Sequence, residues 1–186
     1  MTLFFGLQAL SFYAVLAWLP SIYRDHGYSP AAAGLLLSVS ALLQIPITLA
    51  LPGVATRLRD QRLLAAGCTL LTAAGLAAVL LAPTGAPYLW MVLIGAGQGA
   101  AFAVGLTLFV LRARTAAETA RLSAMAQTFG YLVAAGGPLL VGTVHDVTRS
   151  WTPALLLLLA LAVPQLVTGV LAGHARHLRA GAPALR

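Results

Sequence analysis

Five uncharged polar side chains lie deep in apolar runs: Gln8, Gln44, Gln98, Gln127 and Tyr131. A glutamine amide carries two N–H donors and a carbonyl acceptor, and a tyrosine carries one hydroxyl. Such groups can hold a polar solute or an anion without the cost of burying a fixed charge. Ser123, Gln127, Tyr131, Ala134 and Pro138 recur at helical spacing and so share one side of a helix. Gln8, Ser11, Val15 and Trp18 share a face of another helix, with Tyr13 off it, and Ser40, Gln44 and Thr48 gather around Pro46. Each face has two readings. It lines a solute path, or it is a polar seam bonded to a neighbouring helix, each bond worth about 0.6 kcal/mol. Gly136-Gly137-Pro138 beside the Tyr131 face would loosen its helix and serve as a gating point.

Other chemistries fit poorly. Gly95-Ala96-Gly97-Gln98-Gly99 is no nucleotide loop, because no strand precedes it. Its glycines instead suit close helix contact. No Gly-x-Ser-x-Gly and no His-Glu-x-x-His occurs, so the chain is not expected to be an enzyme. His26, His145, His174 and His177 fall in expected loops or the tail. With no carboxylate or thiol beside the helically spaced His174 and His177, no metal or other cofactor is expected. Cys68 lies alone in an apolar run and reads as helix packing.

The elements that position these residues follow from composition. The chain is 60% hydrophobic and only 8% charged, against about 25% charged for soluble domains. Apolar runs of the ~20 residues needed to cross a bilayer cover 2–23, 30–51, 63–82, 88–111, 122–144 and 152–173. Too long and unalternating for strands, they must be helices, because lipid offers the backbone no partner. The expected fold is therefore an all-α, six-span membrane bundle over residues 1–173, with a short basic tail at 174–186.

The net charge of +7 comes from eleven arginines and no lysine, all outside the runs, which argues for topology rather than nucleic-acid binding. Arg57, Arg59, Arg62, Arg112, Arg114, Arg121, Arg176, Arg179 and Arg186 fall on one side, and only Arg24 and Arg149 on the other. The positive-inside rule puts the larger set, and both termini, in the cytoplasm. Arginine without lysine fits a GC-rich bacterial gene, and so a bacterial cytoplasmic membrane. Only Met1 precedes the first run, without a charged signal-peptide segment, so the expectation is a chain that begins inside a longer one.

The third and sixth runs lack aromatics and read as peripheral, whereas the first, fourth and fifth carry aromatics with glutamine. Pro46 and Pro138 stand at matching depths in the second and fifth runs, which suggests two three-helix inverted repeats. No Asp, Glu, Lys, Arg or His lies within any run, so proton coupling is not expected from this segment alone.

Several blocks look familiar. Gln8…Phe12-Tyr13…Trp18-Leu19-Pro20 with Gly27-Tyr28-Ser29-Pro30 resembles the seventh and eighth helices of major facilitator superfamily transporters, nearest the cyanate and 2-nitroimidazole (CynX/NimT-like) group. Gly97-Gln98-Gly99 with Arg112-Ala113-Arg114 is similar to that group's tenth helix and its exit. Ser123…Gln127…Gly130-Tyr131…Gly137-Pro138 is similar to its eleventh. The superfamily loop signature is only faintly echoed by Arg57-Leu58-Arg59-Asp60-Gln61-Arg62.

The resemblance implies half of a twelve-helix fold and secondary transport by alternating access. The solute would be small and polar or anionic, such as cyanate or a nitroimidazole. The partners would be the lipid bilayer and either an N-terminal six-helix half or a second copy in a homodimer. Gln8, Gln44, Gln98, Gln127 and Tyr131 are the expected substrate-binding residues. A non-transporting six-helix scaffold or assembly subunit is the rival reading.

Overall fold

The computed structural model describes residues 1–174, and over them the chain is six helices without a strand. These are α1 (Thr2–Asp25), α2 (Pro30–Ala55), α3 (Arg62–Leu81), α4 (Pro87–Arg112), α5 (Ala116–Thr148) and α6 (Trp151–Gly173). All six are long and apolar enough to cross a membrane, so the chain is a multi-pass membrane protein of the expected all-α class. The expected tail from 174 onward and the His174–His177 spacing lie outside the described residues, His174 excepted.

Local chemistry sets the helix ends. Ser29 accepts from the Ala32 backbone N–H at 3.2 Å with Pro30 in the first turn of α2, and Thr115 accepts from Glu118 N–H at 3.1 Å to open α5. Gly27 (φ +88°) and Arg149 (φ 54°) take left-handed backbone where the chain turns after α1 and α5.

Helix α5 departs from expectation. It runs 33 residues, about 50 Å at 1.5 Å per residue, well beyond an ~30 Å hydrocarbon core. It takes in Glu118, Arg121, His145 and Asp146, which interrupt the apolar run without interrupting the helix. His145, expected in a loop, thus sits in its last turn.

Successive helices alternate in direction, so α1 and α5 run parallel, as do α2 and α4. These are the two most extensive interfaces. Superposing the order α1-α2-α3 on α4-α5-α6 exchanges one for the other, the packing signature of a repeat. Both need glycine. A Cβ on Gly95 would strike the Ser40 backbone, and one on Gly99 would lie 2.9 Å from Gln44 Cα. At the α1–α5 crossing Gly6 meets Gly130, where a Cβ would come within 3.2 Å of the other backbone.

This packing adds detail to two expectations. Gly136-Gly137-Pro138 does not interrupt α5. A Cβ on Gly137 would meet the Leu10 side chain at 3.1 Å, and the Trp18 indole donates to the Pro138 carbonyl at 2.8 Å, so this segment is a tight seam on α1. Helices α3 and α6, expected to be peripheral, pack against each other and hold a buried Gln165 Nε2 to Thr69 Oγ1 bond of 3.3 Å. The barest helix is α2, with 11% of its apolar window buried against 39% for α3 and 67% for α4.

A layered core results. One apolar cluster joins Leu10, Ala14, Leu36, Leu76, Ile94 and Leu158, and two others gather around Phe4 with Leu108 and Phe5 with Phe109. Between these levels lie buried, uncharged polar side chains: Gln8, Ser11, Ser40, Thr69, Thr72, Gln98 and Gln165.

Both ends are clamped. At the end bearing the α1–α2 and α5–α6 turns, Trp151 donates to Asp25 at 2.7 Å while His145 stacks on its ring at 3.6 Å. At the other, Arg112 donates to the carbonyls of Ala172 (3.0 Å) and His174 (2.6 Å), a cation at the negative end of α6.

The glycine contacts give a direct test. Gly95→Ala forces a methyl into the Ser40 backbone, an overpacking cost of about 1–3 kcal/mol. Gly34→Ala, which meets nothing within 4 Å, gains helix propensity instead. Melting in detergent should fall by several degrees for the first and hold or rise for the second; equal melting points would refute the close α2–α4 approach.

Candidate functional site

One large cleft, about 550 Å³, opens among α1, α2, α4 and α5. This is within the size range of small-molecule sites. Its wall takes Gln8, Ala9, Phe12 and Tyr13 from α1, Ala41, Gln44, Ile45, Thr48 and Leu49 from α2, Phe102 from α4 and Tyr131 from α5. Neither α3 nor α6 contributes, so the repeats meet here through their first two helices.

The glycine contacts explain why these side chains converge. With Gly95 and Gly99 pressed on α2, the Ser40–Gln44–Thr48 stripe lies along α4, and Thr48 donates to the Gly99 carbonyl at 3.2 Å. Gln44 reaches the Ser40 carbonyl only at a long 3.4 Å, which leaves its amide available to a solute. On the other side Ala126, Gly130, Ala134 and Gly137 form the α5 seam on α1, and Tyr131 stands one step round the helix at the cleft edge.

Aromatic rings make the rest of the wall. Tyr13 and Tyr131 lie 6.3 Å apart, and Phe5, buried behind the cleft, contacts Tyr131 edge-on at 5.6 Å and Phe102 at 6.0 Å. The wall offers two amides, a threonine hydroxyl, two phenols and π faces, with no Asp, Glu, Lys, Arg or His among its residues.

The five expected residues divide. Gln8, Gln44 and Tyr131 line the cleft. Gln127 does not: its Nε2 donates to Ser123 Oγ at 2.6 Å within α5. Gln98 is 2% exposed and lies behind the wall. On α1 the Ser11–Val15–Trp18 stripe turns inward, and Tyr13, set apart from it in the sequence, reaches the cleft. Phe12 and Phe102 are additions. An aromatic in an apolar helix has little contrast, although Phe102 stands one helical turn beyond Gln98 and both occur in aromatic-bearing helices.

Comparison with known proteins adds a family. The Major Facilitator Superfamily profile matches residues 1–138. The chain is 39% identical over 178 residues to the uncharacterized transporter YycB of Bacillus subtilis, covering 95% of this chain and 44% of that protein. It is 38% identical over 178 residues to the 2-nitroimidazole transporter of Escherichia coli, covering 96% and 45%. To the cyanate transport protein CynX of Escherichia coli it is 29% identical over 148 residues, covering 80% and 38%. The chain thus spans under half the length of these relatives.

Water in the cleft can be probed by thiol chemistry, since only a thiolate reacts and lipid suppresses ionisation. Cysteine introduced at Gln44 or Thr48 should react with a water-soluble maleimide. The native Cys68, 5% exposed, and a cysteine at the outward-facing, mid-helix Val163 should react at least about tenfold more slowly. Equal rates would mean that the cleft is not a wet site.

Proposed function

This chain belongs to the major facilitator superfamily, and on that premise we propose that it forms one six-helix half of a secondary transporter. The half works by alternating access, with a small polar solute or anion held between two six-helix units near the bilayer midplane. The carrying observation is the cleft. It is built symmetrically from α1 and α2 of one repeat and α4 and α5 of the other, lined by neutral donors and aromatic rings, and open along the sparsely covered face of α2.

That open face calls for a partner. Leu42, Ile45 and Leu49 of α2, and Phe129, Leu132 and Leu139 of α5, all stand more than half exposed. The relatives run to more than twice the matched length, which supports a complementary six-helix half as the cover. A second copy is the other way to close the cleft. The arginine bias favours a bacterial cytoplasmic membrane with both termini inside.

The relatives named for 2-nitroimidazole and for cyanate supply the solute class: small, planar, and rich in acceptors. Gln44 and Gln8 donate to it, Tyr13 and Tyr131 flank it, and Phe102 closes one side. Gln98 and Gln127 act from outside the wall.

The test is uptake of labelled cyanate and 2-nitroimidazole into vesicles that carry this chain with its complementary half, with and without a proton gradient. Uptake of at least one probe is expected, and Gln44→Leu should cut it by about tenfold or more, the worth of one hydrogen bond of this kind. No uptake of either probe, or unchanged uptake by the variant, would overturn the reading.

A further inference from the structure

The buried polar layer is unevenly satisfied. On the α3–α6 side Thr69 and Thr72 donate to carbonyls one turn back at 2.9 and 3.1 Å, and Gln165 donates to Thr69. On the α1–α4 side Gln8 Oε1, Ser11 Oγ and both amide atoms of Gln98 are buried without a partner. Lipid cannot supply one, so leaving these groups unpaired opposes folding.

Gln8 and Gln98 also share a level. Helices α1 and α4 run antiparallel. A Cβ on Gly105 would meet the Phe5 ring at 3.2 Å, while Leu10 and Ala14 join Ile94 in the other apolar cluster. Gln8 on α1 and Gln98 on α4 fall between those fixed points, with Ser11 at the level of Leu10 and Ala14. Helix α4 cannot rotate to bring Gln98 to the cleft. Gly95 and Gly99 seat it on α2, and Gly97 seats it on α3, where a Cβ would lie 2.6 Å from the Thr72 nitrogen. Of the three polar residues only Gln8 also lines the cleft. Gln98 therefore reaches a solute through Gln8.

Resting on the transport reading above, we propose that Gln98 is a positioning residue: a side-chain rotation brings its amide N–H, unpartnered in this structure, onto the equally unpartnered Gln8 carbonyl, so that Gln8 turns its own N–H donors to the cleft. The terminal amide torsion of a glutamine is otherwise free to present either end. Fixing it makes this part of the cleft donor-only and selects solutes that only accept hydrogen bonds. An anion such as cyanate gains most. A solute that also carries an N–H, such as 2-nitroimidazole, gains less.

Gln98→Met, nearly isosteric but unable to hydrogen-bond, separates this role from a structural one. In the transporter carrying this chain, the variant should raise KM for cyanate about tenfold more than KM for 2-nitroimidazole, leaving maximal rates within about twofold, the scale of one hydrogen bond to a charged group. In a Gln8→Met background it should change the KM ratio no further. An equal rise for both solutes, or a full effect without Gln8, would overturn the assignment. Should Gln98→Met fail to fold, Gln98→Asn keeps the amide on a shorter stem and should shift the KM ratio in the same direction; no shift there would overturn it.

A readout independent of transport separates this proposal from its premise. Single Gln8→Met and Gln98→Met changes should each lower the melting temperature, and the double variant should lose less than their sum. Additive losses would refute the pairing even where uptake is intact. If neither solute is taken up by the unaltered transporter while the melting losses stay non-additive, the transport reading fails and the pairing stands.

Discussion

Hydrocarbon gives a polar group nothing to bond to, and most of this structure follows from that constraint. It makes every crossing segment a helix. It keeps Asp, Glu and Arg at the ends, where Arg112 caps α6 and Asp25 receives the Trp151 indole. It also removes the usual driving force for helix association, since lipid tails are as apolar as leucine. Close contact has to supply it, and Gly6, Gly95, Gly97, Gly99, Gly130 and Gly137 let backbones approach where any side chain would collide. Most of the buried polar residues then lie in one layer between apolar clusters, with Gln61 and Thr107 outside it. That layer is where a solute path can exist at low cost.

The six helices were legible because hydropathy over ~20 residues is a strong signal, and the charge bias between the gaps was equally plain. The reach of α5 was not. Glu118 and His145 lower the local hydropathy, yet Glu118 accepts from the Arg114 backbone N–H at 2.8 Å and so helps to build the helix start that it seemed to break. The glutamines were legible as polar groups in apolar helices, but the direction each one faces was not. That depends on which neighbour a glycine admits. Gly95 and Gly99 turn Gln44 toward the cleft and lock Gln98 behind it. In the Gly136-Gly137-Pro138 segment the sequence could not show that Gly137 packs on Leu10 while the helix runs on through Pro138.

Coverage of the bundle is lopsided. Helices α1 and α4 are the most buried, as expected for the pair that stands between the two repeats. Helix α2 is nearly bare, and its exposed residues run directly into the cleft wall through Ile45 and Leu49. A lipid-facing surface and a partner-facing surface are alike in composition, which is why the sequence placed α3 and α6 away from the cleft and α2 beside it without showing how bare α2 is. The distinction lies in the cleft, where Gln8, Gln44 and Thr48 open beside the bare apolar face of α2.

The proposed solute path requires six crossings with the arginine-rich turns on the inner face. Reporter tags inserted in the Pro83–Pro87 turn and fused after Arg186 test it in living cells with one protease-protection experiment. The tag in the turn should be digested from outside and the C-terminal tag protected until the membrane is opened. Both tags on the same side would mean that the bundle is not threaded as described, and the cleft and its solute path would fall with it.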